Sequence, residues 1–202
     1  MPDLETLFGS IDIYLFDQLL KGRVPPGSKV LDAGCGSGRN LRYLLREGYE
    51  VFGADADPEA IASVREIARE LAPGLPPANF RVESLEALTF EEASVDFVIS
   101  SAVLHFARDD QQFRAMLLGS WRPLRPGGIF FCRLASSIGI EDRVQRIEGR
   151  RFRLPDGSTR YLVDEALLAE AGARLGGELA DPLKTTIVQD QRSMTTWVLR
   201  KR

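Results

Sequence analysis

The amino-acid sequence predicts an α/β domain: a three-layer sandwich with helices on both faces of a mostly parallel sheet. Strand-like apolar runs alternate with segments of helical apolar spacing along most of the chain, the pattern of parallel strands joined by helical crossovers. The stretch Val30-Leu31-Asp32-Ala33-Gly34-Cys35-Gly36-Ser37-Gly38-Arg39-Asn40 runs from a buried strand through three glycines into an amphipathic segment, as such a crossover begins. The 202 residues, 44% of them apolar, suffice for one sizeable core and leave no obvious room for two. One domain over residues 1–202 is therefore expected.

The elements follow in order. A helix is expected from Ile11 to Lys21, apolar on two sides, so that both sides need cover. Gly27 and Ser28, behind Pro25-Pro26, break the chain before strand one, Lys29 to Asp32. A helix from Arg39 to Glu47 ends at Gly48, a natural C-cap. Strand two is Glu50 to Ala54. Asp57-Pro58-Glu59 then reads as an N-cap with proline at the first helical position. Ile61, Val64, Ile67, Ala68 and Leu71 give that helix its apolar face, and Pro73 to Pro77 end it. Strand three is Phe80 to Glu83; strand four, Asp96 to Ser101, has the apolar density of a fully buried strand. A helix from Asp110 to Trp121, a tight turn at Arg125-Pro126-Gly127-Gly128 and strand five, Ile129 to Leu134, come next. Residues 136–160 read as a loop-rich stretch. A helix from Val163 to Ala171, stopped by Gly172, and strands near Lys184 to Val188 and Ser193 to Arg200 complete the pattern.

Composition narrows the function. The net charge of −3 argues against a protein that grips nucleic acid through its phosphates. No apolar run reaches membrane-spanning length. The start, Met1-Pro2-Asp3-Leu4-Glu5, is acidic and lacks the basic opening of a signal peptide, so a cytoplasmic location is expected. Cys35 and Cys132 suggest neither a disulfide nor a metal site, and one histidine leaves little for a metal cluster.

The glycine turn carries the chemistry. Its glycines admit positive φ and let a ligand approach bare backbone, which points to a nucleotide-like cofactor. A dinucleotide site requires Gly-x-Gly-x-x-Gly. Counted from Gly34 the last position is Arg39, and counted from Gly36 it is Leu41, so an NAD-dependent oxidoreductase is disfavoured. Asp32 would also set negative charge near two phosphates; it suits a cofactor with a positive group.

Asp32-x-Gly34-x-Gly36-x-Gly38 resembles motif I of the class I S-adenosylmethionine-dependent methyltransferases. The resemblance implies a Rossmann-like fold with a seven-stranded sheet closed by an antiparallel C-terminal hairpin. It implies S-adenosylmethionine as cofactor and S-adenosylhomocysteine as product. Motif I contributes Asp32, near the cofactor's ammonium group, with Gly34, Cys35, Gly36, Gly38 and Asn40, and the following helix N-terminus faces the carboxylate. Asp55, with Ala56 beside it, ends strand two, where an acid can accept from both ribose hydroxyls; Asp57 is the rival, better placed to cap. Ser84 and Leu85 stand at the adenine position, where the family often has an acid; Glu83 could serve after a small register shift. Ser100 and Ser101 end strand four, and this segment should border the sulfonium and the methyl acceptor, with Ser100 as the contact. Tyr14, in an N-terminal helical lid over residues 1–24, either contacts the cofactor or packs in the core.

The acceptor side is less legible. His105, the only histidine, is either a catalytic base or a packing residue. No Asn-Pro-Pro-Tyr type motif follows strand four, which counts against DNA N-methylation. Six arginines between Arg143 and Arg160 face only Glu148 and Asp156 in sequence. They lie in the region, residues 135–160, where the family builds its acceptor pocket. They either grip an anionic acceptor or form a solvated face. Gly48-Tyr49-Glu50-Val51, Leu88-Thr89-Phe90 and Asp96-Phe97-Val98-Ile99-Ser100 resemble the tellurite-resistance branch, which methylates thiol or chalcogen acceptors. That branch uses a histidine late in the chain, and none follows His105 here. Val103-Leu104-His105 and Leu124-Arg125-Pro126-Gly127-Gly128 resemble the broader type 11 small-molecule methyltransferases equally well. Transfer to a small-molecule acceptor is expected, with a non-catalytic S-adenosylmethionine-binding protein as the alternative.

Overall fold

The computed structural model describes residues 3–202, so the first two positions of the expected lid lie outside the described residues. The elements are α1 (Leu4–Phe8), α2 (Ile13–Leu20), β1 (Lys29–Ala33), α3 (Arg42–Arg46), β2 (Glu50–Asp55), α4 (Pro58–Leu71), β3 (Phe80–Val82), β4 (Val95–Ser101), α5 (Asp110–Trp121), β5 (Leu124–Ala135), β6 (Gln145–Glu148), β7 (Arg151–Arg153), β8 (Thr159–Tyr161), α6 (Glu165–Arg174), β9 (Gly177–Leu179), β10 (Lys184–Val188) and β11 (Arg192–Lys201).

The main sheet runs β10-β11-β5-β4-β1-β2-β3. Its central pairs are parallel, and β11 is antiparallel to both β5 and β10. Strand β9 also pairs with β11, at Leu199 to Lys201, just beyond the stretch paired with β10. The edge is thus one strand interrupted around Pro182, whose ring supplies no N–H to a ladder.

Alternation along the strands sorts the core into two layers. Leu31, Val98, Phe130 and Trp197 pack with Phe113 and Leu117 of α5 and Leu167 and Leu168 of α6. Val30, Phe97, Ile99 and Phe131 pack with Leu15 of α2, Leu44 of α3 and Ile61 and Val64 of α4. Both faces of each central strand are apolar because both are covered.

The structure corrects several boundaries. Residues 136–160 are not loop throughout: β6, β7 and β8 form a separate antiparallel sheet. Arginines alternate there with Ile147, Phe152 and Leu154, a period of two masked by the charge. Helix α3 starts later than Arg39, because the glycine turn continues to Leu41, whose N–H donates to the Gly38 carbonyl at 3.0 Å. A five-residue helix so placed offers no developed N-terminus to a carboxylate. Gly172 lies within α6 and lets the helix approach Trp197. The N-terminal segment contains a further helix, α1, held by Phe8 stacked on Tyr43 at 4.9 Å.

Candidate functional site

A cavity of about 940 Å³ opens beyond the carboxyl ends of β1, β2, β4 and β5, where open α/β sheets place ligands. Gly34, Cys35, Gly36, Asn40 and Asp55 line one half. Gly34 has φ +85°, and a Cβ there would stand 2.5 Å from a Val103 methyl, so only glycine fits. Val103 is aimed at the turn by Ala102, which takes the left-handed conformation at φ 63° and donates its N–H to the Arg133 carbonyl at 2.7 Å. Such strain in a non-glycine residue clusters at functional sites.

Asp55 braces the turn. Its carboxylate accepts from Gly36 N–H at 2.9 Å and from Asp57 N–H at 3.0 Å, and it borders the cavity. Asp57 accepts from Glu59 N–H at 2.9 Å and caps α4, so the rival acid has a structural task.

Asp32 lies behind the turn, 1% exposed, with both carboxyl oxygens buried and unpartnered. Burial pushes its pKa up to about 7, Arg39 opposes the rise and Asp55 adds to it. A buried carboxylate without a partner is costly. A cationic ammonium group arriving at the turn is the partner its chemistry lacks, so the residues present fit the cofactor implied by motif I.

The remaining expected residues divide. Asn40 is buried and accepts the Asp12 N–H at 3.0 Å through its side-chain oxygen. Cys35 lines the cavity, and burial raises its thiol pKa far above the ordinary value. Ala56 is exposed beside Asp55. Ser84 is exposed, the Leu85 side chain is buried in the core, and neither borders the main cavity. Glu83 is engaged with Thr89 through the backbone N–H at 2.9 Å and the hydroxyl. Tyr14 does not line the cavity; its hydroxyl bonds to Thr186 of β10 and its ring lies 5.3 Å from the Arg133 guanidinium. Ser100 is a correction. It is fully buried beside Cys132 and faces α5, whereas Ser101 borders the cavity, because successive strand residues point to opposite faces.

Ser101 leads to a residue the sequence reading missed. Its hydroxyl donates to Asp12 at 3.0 Å, and Asp12 also meets Arg133 at 3.3 Å and Arg39 at 3.6 Å. Asp12 is 5% exposed and caps α2 through the Tyr14 N–H. It joins the N-terminal helix to Arg39 and Arg133, two of the four arginines of the cavity wall. Its place before an apolar helix was the available signal. For Arg133 the signal was a lone charge inside an otherwise apolar strand.

The other half of the cavity is lined by His105, Phe106, Arg133, Leu154, Asp156, Arg160, Val188, Arg192 and Met194, among others. The Ala135 N–H donates to His105 Nδ1 at 3.1 Å. A backbone N–H can only donate, so Nδ1 is the unprotonated nitrogen and Nε2 carries the proton. Burial, then Arg160 and Arg133, lower its pKa to about 4. His105 is therefore a neutral N–H donor at pH 7, in keeping with the packing alternative and not with the base. No group of three or more potential metal ligands occurs among the described residues.

Fold, glycine turn and paired carboxylates define a methyltransferase domain. The methyltransferase-domain family matches residues 31–132, and the chain belongs to the class I S-adenosylmethionine-dependent methyltransferases. It is 32% identical to a protein of Mycolicibacterium smegmatis named as a probable S-adenosylmethionine-dependent methyltransferase, over 78% of this chain and 54% of the relative. The chain spans about half the length of the first curated relatives it matches. A SAM-dependent methyltransferase from Methanosarcina mazei superposes with a TM-score of 0.73 at 23% identity, covering 91% of this chain and 96% of that one. TehB from Haemophilus influenzae does so with a TM-score of 0.68 at 21% identity, covering 93% and 62%; these two likenesses show the fold alone. No helix among the described residues is long and apolar enough to cross a membrane.

Proposed function

We propose that this chain, acting as one domain, binds S-adenosylmethionine over the glycine turn and transfers its methyl group to a small-molecule acceptor by in-line displacement. The observation that carries the reading is the unpartnered Asp32 carboxylate, buried behind the turn that opens the cavity. Asp32 answers the ammonium group, the Gly34–Gly38 backbone with Cys35 and Asn40 holds the methionine portion, and Asp55 beside Ala56 receives the ribose hydroxyls. The Leu85 N–H and Ser84 bound the adenine, and Tyr14 steadies the roof. When bound, the cofactor supplies a methyl group that is already electrophilic. The protein's task is alignment and exclusion of water, which can lower a barrier by about 7–11 kcal/mol. Two free, buried cysteines suit the reducing cytoplasm.

Calorimetry with S-adenosylmethionine, S-adenosylhomocysteine and NAD tests this reading. Heat is expected with the first two and none with NAD. A folded protein that binds neither would refute it. Release of S-adenosylhomocysteine in the presence of an acceptor separates an enzyme from a protein that only binds the cofactor.

A further inference from the structure

Resting on that methyl-transfer reading, we propose that the acceptor is a small carboxylate with an apolar body, gripped by Arg160 and His105, and that its own oxygen is the nucleophile.

The first ground is that the cavity holds no free base among the described residues. His105 presents an N–H and its other ring nitrogen is occupied. Arg160 and Arg133 are the charged groups that bear on it most, both hold it neutral, and no carboxylate pairs with it. Asp156 accepts from the Ser158 hydroxyl at 2.6 Å and N–H at 2.9 Å and meets Arg192 at 3.4 Å; these contacts hold its carboxyl below the ordinary value. Asp55 is committed to two backbone N–H groups. The Ser101 hydroxyl donates to Asp12. An acceptor that had to lose a proton would find no group to take it. A carboxylate arrives ionised.

The second ground is the charge of the wall. Arg39 and Arg133 share the single carboxylate of Asp12, Arg192 meets Asp156, and Arg160 bears on Asp156 only at longer range. Arg160 also borders the cavity and has no acid within ion-pair distance among the described residues. One of its N–H groups donates to the Thr159 carbonyl at 2.8 Å and its guanidinium lies 4.9 Å from the Phe106 ring centroid, leaving further donors in a planar fork. That fork matches a carboxylate. Leu154, Val188, Met194 and the 60% exposed Phe106 complete the acceptor side and suit an aliphatic or aromatic body.

The step balances without proton transfer. A carboxylate oxygen forms the new O–CH3 bond as the S–CH3 bond breaks, and the electron pair of that bond remains on sulfur. The positive sulfonium and negative carboxylate become a neutral thioether and a neutral methyl ester. The His105 N–H and Arg160 hold the second oxygen.

The test uses the protein loaded with S-adenosylhomocysteine, titrated calorimetrically with phenylacetate, benzoate and hexanoate and with the matching amides. At least one carboxylate is expected to bind, its amide at least tenfold more weakly. Arg160→Gln should weaken that carboxylate at least tenfold and leave S-adenosylhomocysteine affinity within twofold, which also shows that the variant is folded. Arg160→Lys, which keeps charge but not the fork, should fall between them. With S-adenosylmethionine, the bound carboxylate should yield its methyl ester at a rate flat from pH 6 to pH 9. The proposal is overturned if no carboxylate binds, if amides bind equally well, if Arg160→Gln changes nothing, if a bound carboxylate yields no ester, or if turnover occurs only with neutral thiols, phenols or amines. Absence of cofactor binding would instead refute the methyl-transfer reading beneath it.

Discussion

Replacing Asp32 by asparagine should stabilise the ligand-free protein while weakening its hold on the cofactor. The folded carboxyl titrates at about 7 against an ordinary 3.8, and at about 1.36 kcal/mol per pH unit the ionised form is disfavoured by about 4 kcal/mol. The folded group is the weaker acid, so its contribution to stability is fully present below 3.8 and is lost as pH rises through about 7. Asparagine removes the charge but leaves its own amide unpaired at a cost of about 1–3 kcal/mol. The net gain is about 2 kcal/mol at pH 7.5, or about 4–8 °C in melting temperature for a domain of this size. Melting curves of parent and variant from pH 4 to 8 check this. The parent should lose stability with rising pH relative to the variant. Calorimetry at pH 6 should show the parent releasing close to one proton on binding S-adenosylmethionine, because the ammonium group draws Asp32 into its ionised form, and the variant releasing none from this site. A variant that melts below the parent at pH 7.5, with the same pH slope and unchanged cofactor affinity, would refute the reasoning.

Other outcomes are expected. Asp55→Ala should weaken cofactor binding by about 2–3 kcal/mol, on the order of a hundredfold; an affinity within threefold of the parent in calorimetry would misplace the ribose. His105→Gln should remove an acid-labile part of the stability. The folded imidazole titrates near 4 instead of 6.5, so its contribution of about 3 kcal/mol is present above pH 6.5 and disappears as pH falls through about 4; denaturant titrations at pH 4 and pH 7 measure it. Gly119→Ala should destabilise by more than about 3 kcal/mol, because the added Cβ would lie 1.9 Å from the Leu85 carbonyl oxygen. A melting temperature within a degree of the parent would show that the loop after β3 can retreat.

The central sheet was legible because its physics is local. Buried strands such as Val95–Ser101 carry unbroken apolar runs, and Asp57-Pro58 announces α4. The glycine turn of the candidate site was legible for the same reason, since Gly34, Gly36 and Gly38 are demanded by their own backbone angles. The acceptor half is assembled from positions far apart in sequence. Asp12 meets Ser101 and Arg133, and no spacing rule links residue 12 to residue 133. Ser100 was chosen over Ser101 because the face of a strand is fixed by register, which one residue reverses; Ser101 is the one that borders the cavity. The two readings of His105 stayed open in the sequence because the partner of Nδ1 is the backbone of β5, invisible until the strands are placed.

The N-terminal helix α2 and the segment after it are tied to the last strands of the sheet and the turn before them: Tyr14 to Thr186, Asp17 to Lys184 at 3.0 Å and Arg23 to Asp181 at 2.7 Å. During vectorial synthesis on the ribosome these partners emerge more than 150 residues apart, and loop closure on that scale is slow. The glycine turn and its strands can assemble early. Asn40, Ser101 and Arg133 can hold the N-terminal helix through Asp12 before residues 181–186 emerge, so the ties from Tyr14, Asp17 and Arg23 to that segment are the last to close, and these side chains wait without their partners until it has left the exit tunnel.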